Sequence, residues 1–247
     1  MGFKLLICLL LMLMKVSENK NLPADFPRCH RSDQFLNKCM LQAMETVRPF
    51  IAKGIPEINL PPFEPLFVKG FEVDRDTEAL RIKANLTNVF VHGLTNYDCR
   101  TFEFRVPSLQ FATRCSFKEV KLVSDYTISG SVLGAQIEGT GNLTAIFCDG
   151  EANVTEIVKI VRKKRVEYLR VHETKISIGV PKISVRLDGL FDGNKELGDR
   201  TNKFLNDNID EIFRQVTPFF ECLLTNVVDN LLLKAFSQVP YDELFPK

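Results

Sequence analysis

The stretch Leu190–Phe245, LFDGNKELGDRTNKFLNDNIDEIFRQVTPFFECLLTNVVDNLLLKAFSQVPYDELF, reads as one very long amphipathic helix rich in aromatic residues. Phe204, Leu205, Ile209, Ile212, Phe213, Val216, Phe219, Phe220, Leu223, Leu224, Val227, Val228, Leu231 and Leu232 recur at helical spacings, which lays them along one broad apolar stripe. From Lys195 to Ser237 such a helix is about 64 Å long, far more than a compact core can cover. Something extended has to wrap it.

The chain upstream supplies the wrapping. From Leu66 to Leu187 apolar residues alternate with a period of two, interrupted by turn signals. Phe102, Phe104 and Val106 precede Pro107-Ser108; Val120 and Leu122 precede Ser124-Asp125; Tyr126, Ile128 and Val132 precede Gly134. Val158 and Ile160 lead into the Arg162–Arg165 turn, followed by Leu169 and Val171, Ile176 and Ile178, and, past Pro181, Ile183, Val185 and Leu187. Roughly six to eight hairpin-joined strands are expected, with glycines at 130, 134, 139 and 141 letting the sheet curl.

A shorter helix is predicted near the N-terminus, capped by Ser32, ending at Ala52 and stopped by Gly54 and Pro56. Pro49 loosens its last turn, and the proline-rich LPPFEPL at 60–66 forms a stiff connector. The expected fold class is therefore α+β: a highly curved antiparallel sheet around the long C-terminal helix, with a short N-terminal helix. No linker or repeat divides residues 21–247, so they read as a single domain.

The first residues, MGFKLLICLLLMLMKVSENKN, place Lys4 before the apolar run Leu5–Met14. This is the layout of a secretory signal peptide, assigned to residues 1–20, and the run is too short to span a bilayer. A secreted, extracellular protein follows. The 32 basic and 31 acidic residues nearly cancel to a net +1, so no nucleic-acid partner is announced. Six cysteines remain beyond the leader, at 29, 39, 99, 115, 148 and 222, an even set that suits an oxidising compartment. Cys29 and Cys39 flank the start of the first helix and could close a local loop; spacing alone leaves the other four unpaired or free.

Three N-x-[ST] sequons begin at Asn85, Asn142 and Asn153. Strand parity turns each asparagine to the solvent side, because Leu80, Ile82, Ala84 and Leu86 form the inner face beside Asn85, Leu143, Ala145 and Phe147 do so beside Asn142, and Val154 adjoins Asn153. All three are candidate glycosylation sites.

Catalysis is not expected. The histidines are His30, His92 and His172; HETKI at 172–176 lacks the second histidine of a zinc-protease helix, and GSVLG at 130–134 is not a nucleophile elbow. Neither metal nor cofactor is called for. The run Arg162-Lys163-Lys164-Arg165 reads first as a solvated turn and second as a dibasic processing site.

Aromatic content points elsewhere: twenty Phe and four Tyr, with no Trp. One helix inside a long curled sheet leaves a tube whose ends side chains alone do not plug readily. A tube lined with Phe and Leu suits a lipophilic small molecule, whose apolar body contributes about 0.8 kcal/mol per buried CH₂. Candidate lining residues are Phe35, Val47 and Phe50 from the first helix, and Leu86, Phe102, Phe104, Tyr126, Ile128 and Val132 from the strands. The long helix adds Phe204, Phe213, Val216, Phe220 and Leu224. The Tyr126 phenol is a candidate to orient a ligand.

The segments CHRSDQFLNKC at 29–39, VRPFIAKGIPEINLPPFEPLFV at 47–68, GLTNYD at 93–98, LFDGNKELGDRTNKFLNDN at 190–208 and FSQVPYDELFP at 236–246 together resemble the takeout and juvenile hormone-binding protein family of insects. The resemblance runs over essentially the whole mature chain. It implies a tubular lipid-binding fold (a super-roll) with an internal hydrophobic tunnel and no catalysis. It further implies a Cys29–Cys39 disulfide and a second bridge from sheet to long helix, for which Cys148 and Cys222 are the matching pair; Cys99 and Cys115 depart from the family pattern.

The implied partner is a juvenile hormone-like terpenoid, a fatty acid or a related lipid, carried by a monomer in haemolymph or sensory lymph without stable membrane insertion. Circadian, feeding or chemosensory physiology is the implied setting, and no receptor is indicated. The helix at 32–52 is the expected gate of one tunnel mouth. Two rival readings are a dry-cored interaction module acting through a receptor or membrane lipid and, least supported, a hydrolase of lipophilic esters.

Overall fold

Residues 27–56 and 59–247 are described by a computed structural model; the leader assigned to residues 1–20 lies outside them. In chain order the elements are α1 (Leu36–Lys53), β1 (Leu66–Asp76), β2 (Leu80–His92), β3 (Tyr97–Arg105), β4 (Gln110–Val132), β5 (Ala135–Lys163), β6 (Val166–Gly179), β7 (Lys182–Leu187), α2 (Lys195–Asp207), α3 (Ile209–Gln238) and α4 (Tyr241–Leu244).

The spine is the β4–β5 hairpin, in register from Gln110 opposite Ile157 to Val132 opposite Ala135. At 29 residues, β5 would span about 95 Å if straight. Shorter strands flank the spine in two halves. Around one half, β3 pairs with Gln110–Phe117 of β4 and β6 with Glu151–Lys163 of β5. Around the other, β2 pairs with Lys121–Val132, β7 with Leu143–Cys148, and β1 extends β2. All seven strands belong to one antiparallel sheet, so the expected fold class holds.

One expected break is absent. β4 runs through Ser124-Asp125, where Ser124 is buried on the inner face between Leu122 and Tyr126. Asp125 stays in the strand because its outward carboxylate accepts from Asn88 (2.6 Å) and Asn142 (3.1 Å) on the two neighbouring strands. β5 likewise passes Asp149-Gly150. There Asp149 has a φ of 55° and the Phe117 ring occupies the place a Cβ on Gly150 would need, so the strand bends without ending.

The long helix departs from expectation at Asn208, where φ −117° and ψ 20° divide it into α2 and α3. The Asn208 amide donates to the Phe204 carbonyl (2.8 Å), a side-chain bond that competes with helix continuation. α1 begins at Leu36 rather than after Ser32. The N-cap is Phe35 with no side-chain cap, and the Asp33 carboxylate accepts from the Phe35 N–H (2.8 Å) in a preceding turn closed by Leu36 N–H on the Asp33 carbonyl (3.1 Å). Gly54 stops α1 as expected, with a φ of 82° that favours glycine.

The disulfides are Cys29–Cys39, as the family resemblance implies, and Cys99–Cys115. The implied Cys148–Cys222 bridge is not formed; both are free thiols. Phe147 meets Phe213 and Phe220 of α3, so strand alternation turns Cys148 away from that helix, and Cys222 lies on the exposed side of α3. Cys99 and Cys115 stand directly opposite each other in the β3–β4 register.

Candidate functional site

The apolar core is divided. One cluster gathers Cys29, Leu36, Met40, Phe104, Phe111, Val158, Leu169, Phe236 and Phe245 under α1 and α4. The other gathers Leu80, Leu86, Tyr126, Val132, Ile137, Leu187, Leu190 and Leu205 beneath β2, β4, β5 and α2. α3 joins them: Ile212 and Val216 pack on the second cluster, and Leu231, Leu232 and Ala235 on the first. Thr217 to Asn230, about 21 Å of helix, contributes to neither.

That middle stretch forms the candidate site. The exposed positions of α3 are Asp210, Glu211, Arg214, Pro218, Cys222, Asn226, Asn230 and Leu233, a solvent stripe at helical spacing. Phe213, Phe219, Phe220, Leu223, Leu224, Val227 and Val228 occupy the other side, and none of them is fully buried. Three of them meet rings of the sheet. Phe219 lies 5.4 Å from the Phe71 ring of β1, and Phe213 and Phe220 each lie 6.1 Å from Phe147 of β5. Large apolar side chains that stay partly accessible are not packed as a close-packed interior is.

By length and composition alone α3 could cross a membrane. Its polar groups instead hold it against the edge of the sheet. Glu221 accepts from the Ile178 N–H of β6 (3.1 Å), and Asp229 accepts from the Thr174 hydroxyl (2.5 Å).

The predicted lining residues separate accordingly. Phe220 and Leu224 lie in the middle stretch, Phe213 meets Phe147 just ahead of it, and Phe204, Ile128 and Val216 flank the second cluster. Leu86, Tyr126 and Val132 are solid core within that cluster and Phe104 within the first; Phe50 and Phe102 pack against the first, and Val47 is buried beneath α1. Phe35 is corrected outright: it precedes α1 and is 63% exposed, because Leu36 takes the inward position. Tyr126 is corrected in role. Its hydroxyl donates to the Asp188 carbonyl (3.0 Å), tying β4 to the segment after β7, and burial, followed by nearby Asp188, pushes its pKa up to about 12.

Phe71, Phe147 and Phe219, whose rings meet between helix and sheet, are not among the predicted lining residues. Phe219 was visible as a stripe position, but Phe71 and Phe147 needed the sheet register to place them.

Among the described residues, one carboxyl side chain is buried. Glu156 of β5 is 7% exposed, and its Oε2 has no hydrogen-bond partner. It stands opposite Phe111 on β4 and Thr174 on β6, beside Asp229 of α3. Burial, followed by the Asp229 charge, pushes its pKa up to about 7. Among the described residues, no group of three or more His, Cys, Asp or Glu is arranged to hold a metal ion. His30, His92 and His172 are all exposed. A separate groove of about 560 Å³ lies between α2 and the outer side of β5 and β7, lined by Thr144, Ile146, Ser184, Arg186, Asp199 and Lys203 among others.

α1 is pinned in place. Besides its disulfide, its Asn37 side chain accepts from the Phe104 N–H (3.1 Å), its Arg48 donates to the Tyr97 carbonyl (2.8 Å), and the Tyr97 hydroxyl donates to the Met44 carbonyl (3.0 Å). Arg162–Arg165 forms the tight β5–β6 turn, with Lys164 and Arg165 at φ 48° and 71°. Asn85, Asn142 and Asn153 are exposed, as strand parity requires.

Comparison with known proteins agrees with this geometry. The family model for haemolymph juvenile hormone binding protein matches residues 6–246. The circadian clock-controlled protein daywake of Drosophila melanogaster is 23% identical, covering 94% of this chain and 92% of that protein. Its Drosophila yakuba counterpart is 24% identical over 94% and 91%. The crystal structure of Epiphyas postvittana Takeout 1 superposes with a TM-score of 0.78 at 19% identity, covering 90% of this chain and all of that one.

Proposed function

The chain belongs to the haemolymph juvenile hormone binding protein family, a family of lipophilic-ligand carriers, and from that membership we propose that it is a secreted monomeric carrier holding a terpenoid or fatty lipid between α3 and the curled sheet. The observation that carries the reading is the middle of α3, where Phe213, Phe219, Phe220, Leu223, Leu224, Val227 and Val228 occupy the side opposite the solvent stripe without being fully buried. In this reading the two packed clusters close the ends of a tunnel and leave an apolar length between them. An extended chain of roughly sixteen methylenes spans a comparable distance, and its burial supplies about 0.8 kcal/mol for each CH₂.

The disulfides support an extracellular setting, and a link to circadian physiology is suggested by the likeness to daywake. Pinning of α1 favours a fixed plug over a mobile gate at that end.

The test is to secrete the protein from insect cells, purify it without detergent, and compare native with denaturing mass spectra. A stoichiometric lipophilic molecule released on denaturation is the expected result. Protein that emerges empty and also refuses fluorescent fatty and terpenoid probes overturns the carrier reading.

A further inference from the structure

We propose that Glu156, with Thr174 and Asp229 beside it, forms a polar head-group site at the α4-side end of the tunnel that selects lipophiles carrying a hydrogen-bond donor, an alcohol or an amine, over fatty-acid carboxylates. This rests on the carrier reading and names the ligand class for it. Glu156 is more than nine-tenths buried and its Oε2 meets no partner, in a protein where a buried unpaired carboxyl oxygen costs stability.

Its position is set from three sides. The register places it opposite Phe111, a member of the first cluster, and opposite Thr174, whose hydroxyl is already committed to Asp229. The inner face here is thus where the apolar length along Phe219–Val228 gives way to packed core.

The chemistry follows from what the site lacks. Thr174 donates to Asp229, so the waiting Oε2 is an acceptor without a donor. A ligand hydroxyl or ammonium arriving head-first supplies that donor, and an ammonium also offsets the two facing carboxyl groups. A fatty-acid carboxylate brings a third acidic group into a site of low dielectric, and a methyl ester brings only acceptors. A site built to accept a hydrogen bond rejects analogues that cannot donate one more strongly than methylene-by-methylene fit can discriminate.

The experiment displaces N-phenyl-1-naphthylamine from the full mature protein at about pH 8 with dodecanol, dodecylamine, dodecanoate and methyl dodecanoate. Wild type is expected to hold the alcohol and the amine at least about tenfold more tightly than the carboxylate. Glu156→Gln, which keeps the shape and can itself donate, is expected to recover dodecanoate, and Glu156→Leu to bring all four within about threefold. Should a variant fail to fold, the wild-type ranking decides alone. Wild type that binds all four chains alike, or prefers the carboxylate, overturns the inference and leaves the carrier reading standing. Wild type that takes up neither the naphthylamine nor any of the four chains overturns both.

Discussion

Glu156 makes the stability of this protein depend on pH in a defined direction. Its folded-state pKa is raised from the ordinary 4.5 to about 7, first by burial and then by Asp229. The folded protein therefore prefers the protonated form. The contribution of Glu156 is fully present below about pH 4.5 and is lost as pH rises through about 7, where ionisation of the buried group costs on the order of 3 kcal/mol. Glu156→Gln should match wild type near pH 4 and exceed it in thermal stability near pH 8; parallel melting curves at both pH values would show the carboxyl to be solvated. A second residue-scale expectation concerns thiols. Alkylation of the denatured, unreduced mature protein should label Cys148 and Cys222 and spare Cys29, Cys39, Cys99 and Cys115, as peptide mapping will report.

At the scale of elements, α2 protects an edge. The outer side of β7 would leave its backbone unpaired, but the Asn206 side chain accepts from Val185 N–H (2.9 Å) and donates to the Val185 carbonyl (2.7 Å), and Asn202 does the same at Leu187 (2.8 and 2.9 Å). Two asparagines one helical turn apart thus stand in for a strand. Asn206→Ala should cost about 2 kcal/mol, read by urea titration, and the Asn202→Ala, Asn206→Ala double variant about twice that. A loss no larger than for an exposed alanine substitution would mean that water satisfies this edge.

α3 offers a paired test of which face holds ligand. Phe220→Asp should weaken retention of a bound lipophile by at least about tenfold. Leu233→Asp, on the exposed stripe, should leave retention unchanged. Equal effects would place the ligand elsewhere.

Across the whole molecule, strands carry their sequons on the outside of the roll and their apolar residues on the inside. Glycans on Asn85, Asn142 and Asn153 would therefore stand clear of the tunnel. Enzymatic removal of N-glycans should lower the mass of the secreted protein without changing lipophile affinity; an unchanged mass would end the glycosylation proposal. Period-two alternation was enough to set these faces, because side-chain direction along a strand is local. The helical stripe of α3 and the wrapping sheet were legible for the same reason, as was the Cys29–Cys39 loop among the readings open from spacing.

Other features were decided between segments far apart in the chain. Local turn signals at Ser124-Asp125 did not break β4, since ladders on both sides of the strand outweigh local preference. Cys115 pairs with Cys99 because the β3–β4 register sets them face to face, and Phe71 and Phe147 meet rings of α3 only because the sheet curls onto it. Glu156 read as one more polar residue in a strand until folding buried it beside Asp229. Sequence by itself determined which face of each element is apolar, because that is a property of neighbouring residues. Tertiary structure alone decided which faces, thiols and charges meet, because register and burial depend on free energy summed over the whole sheet.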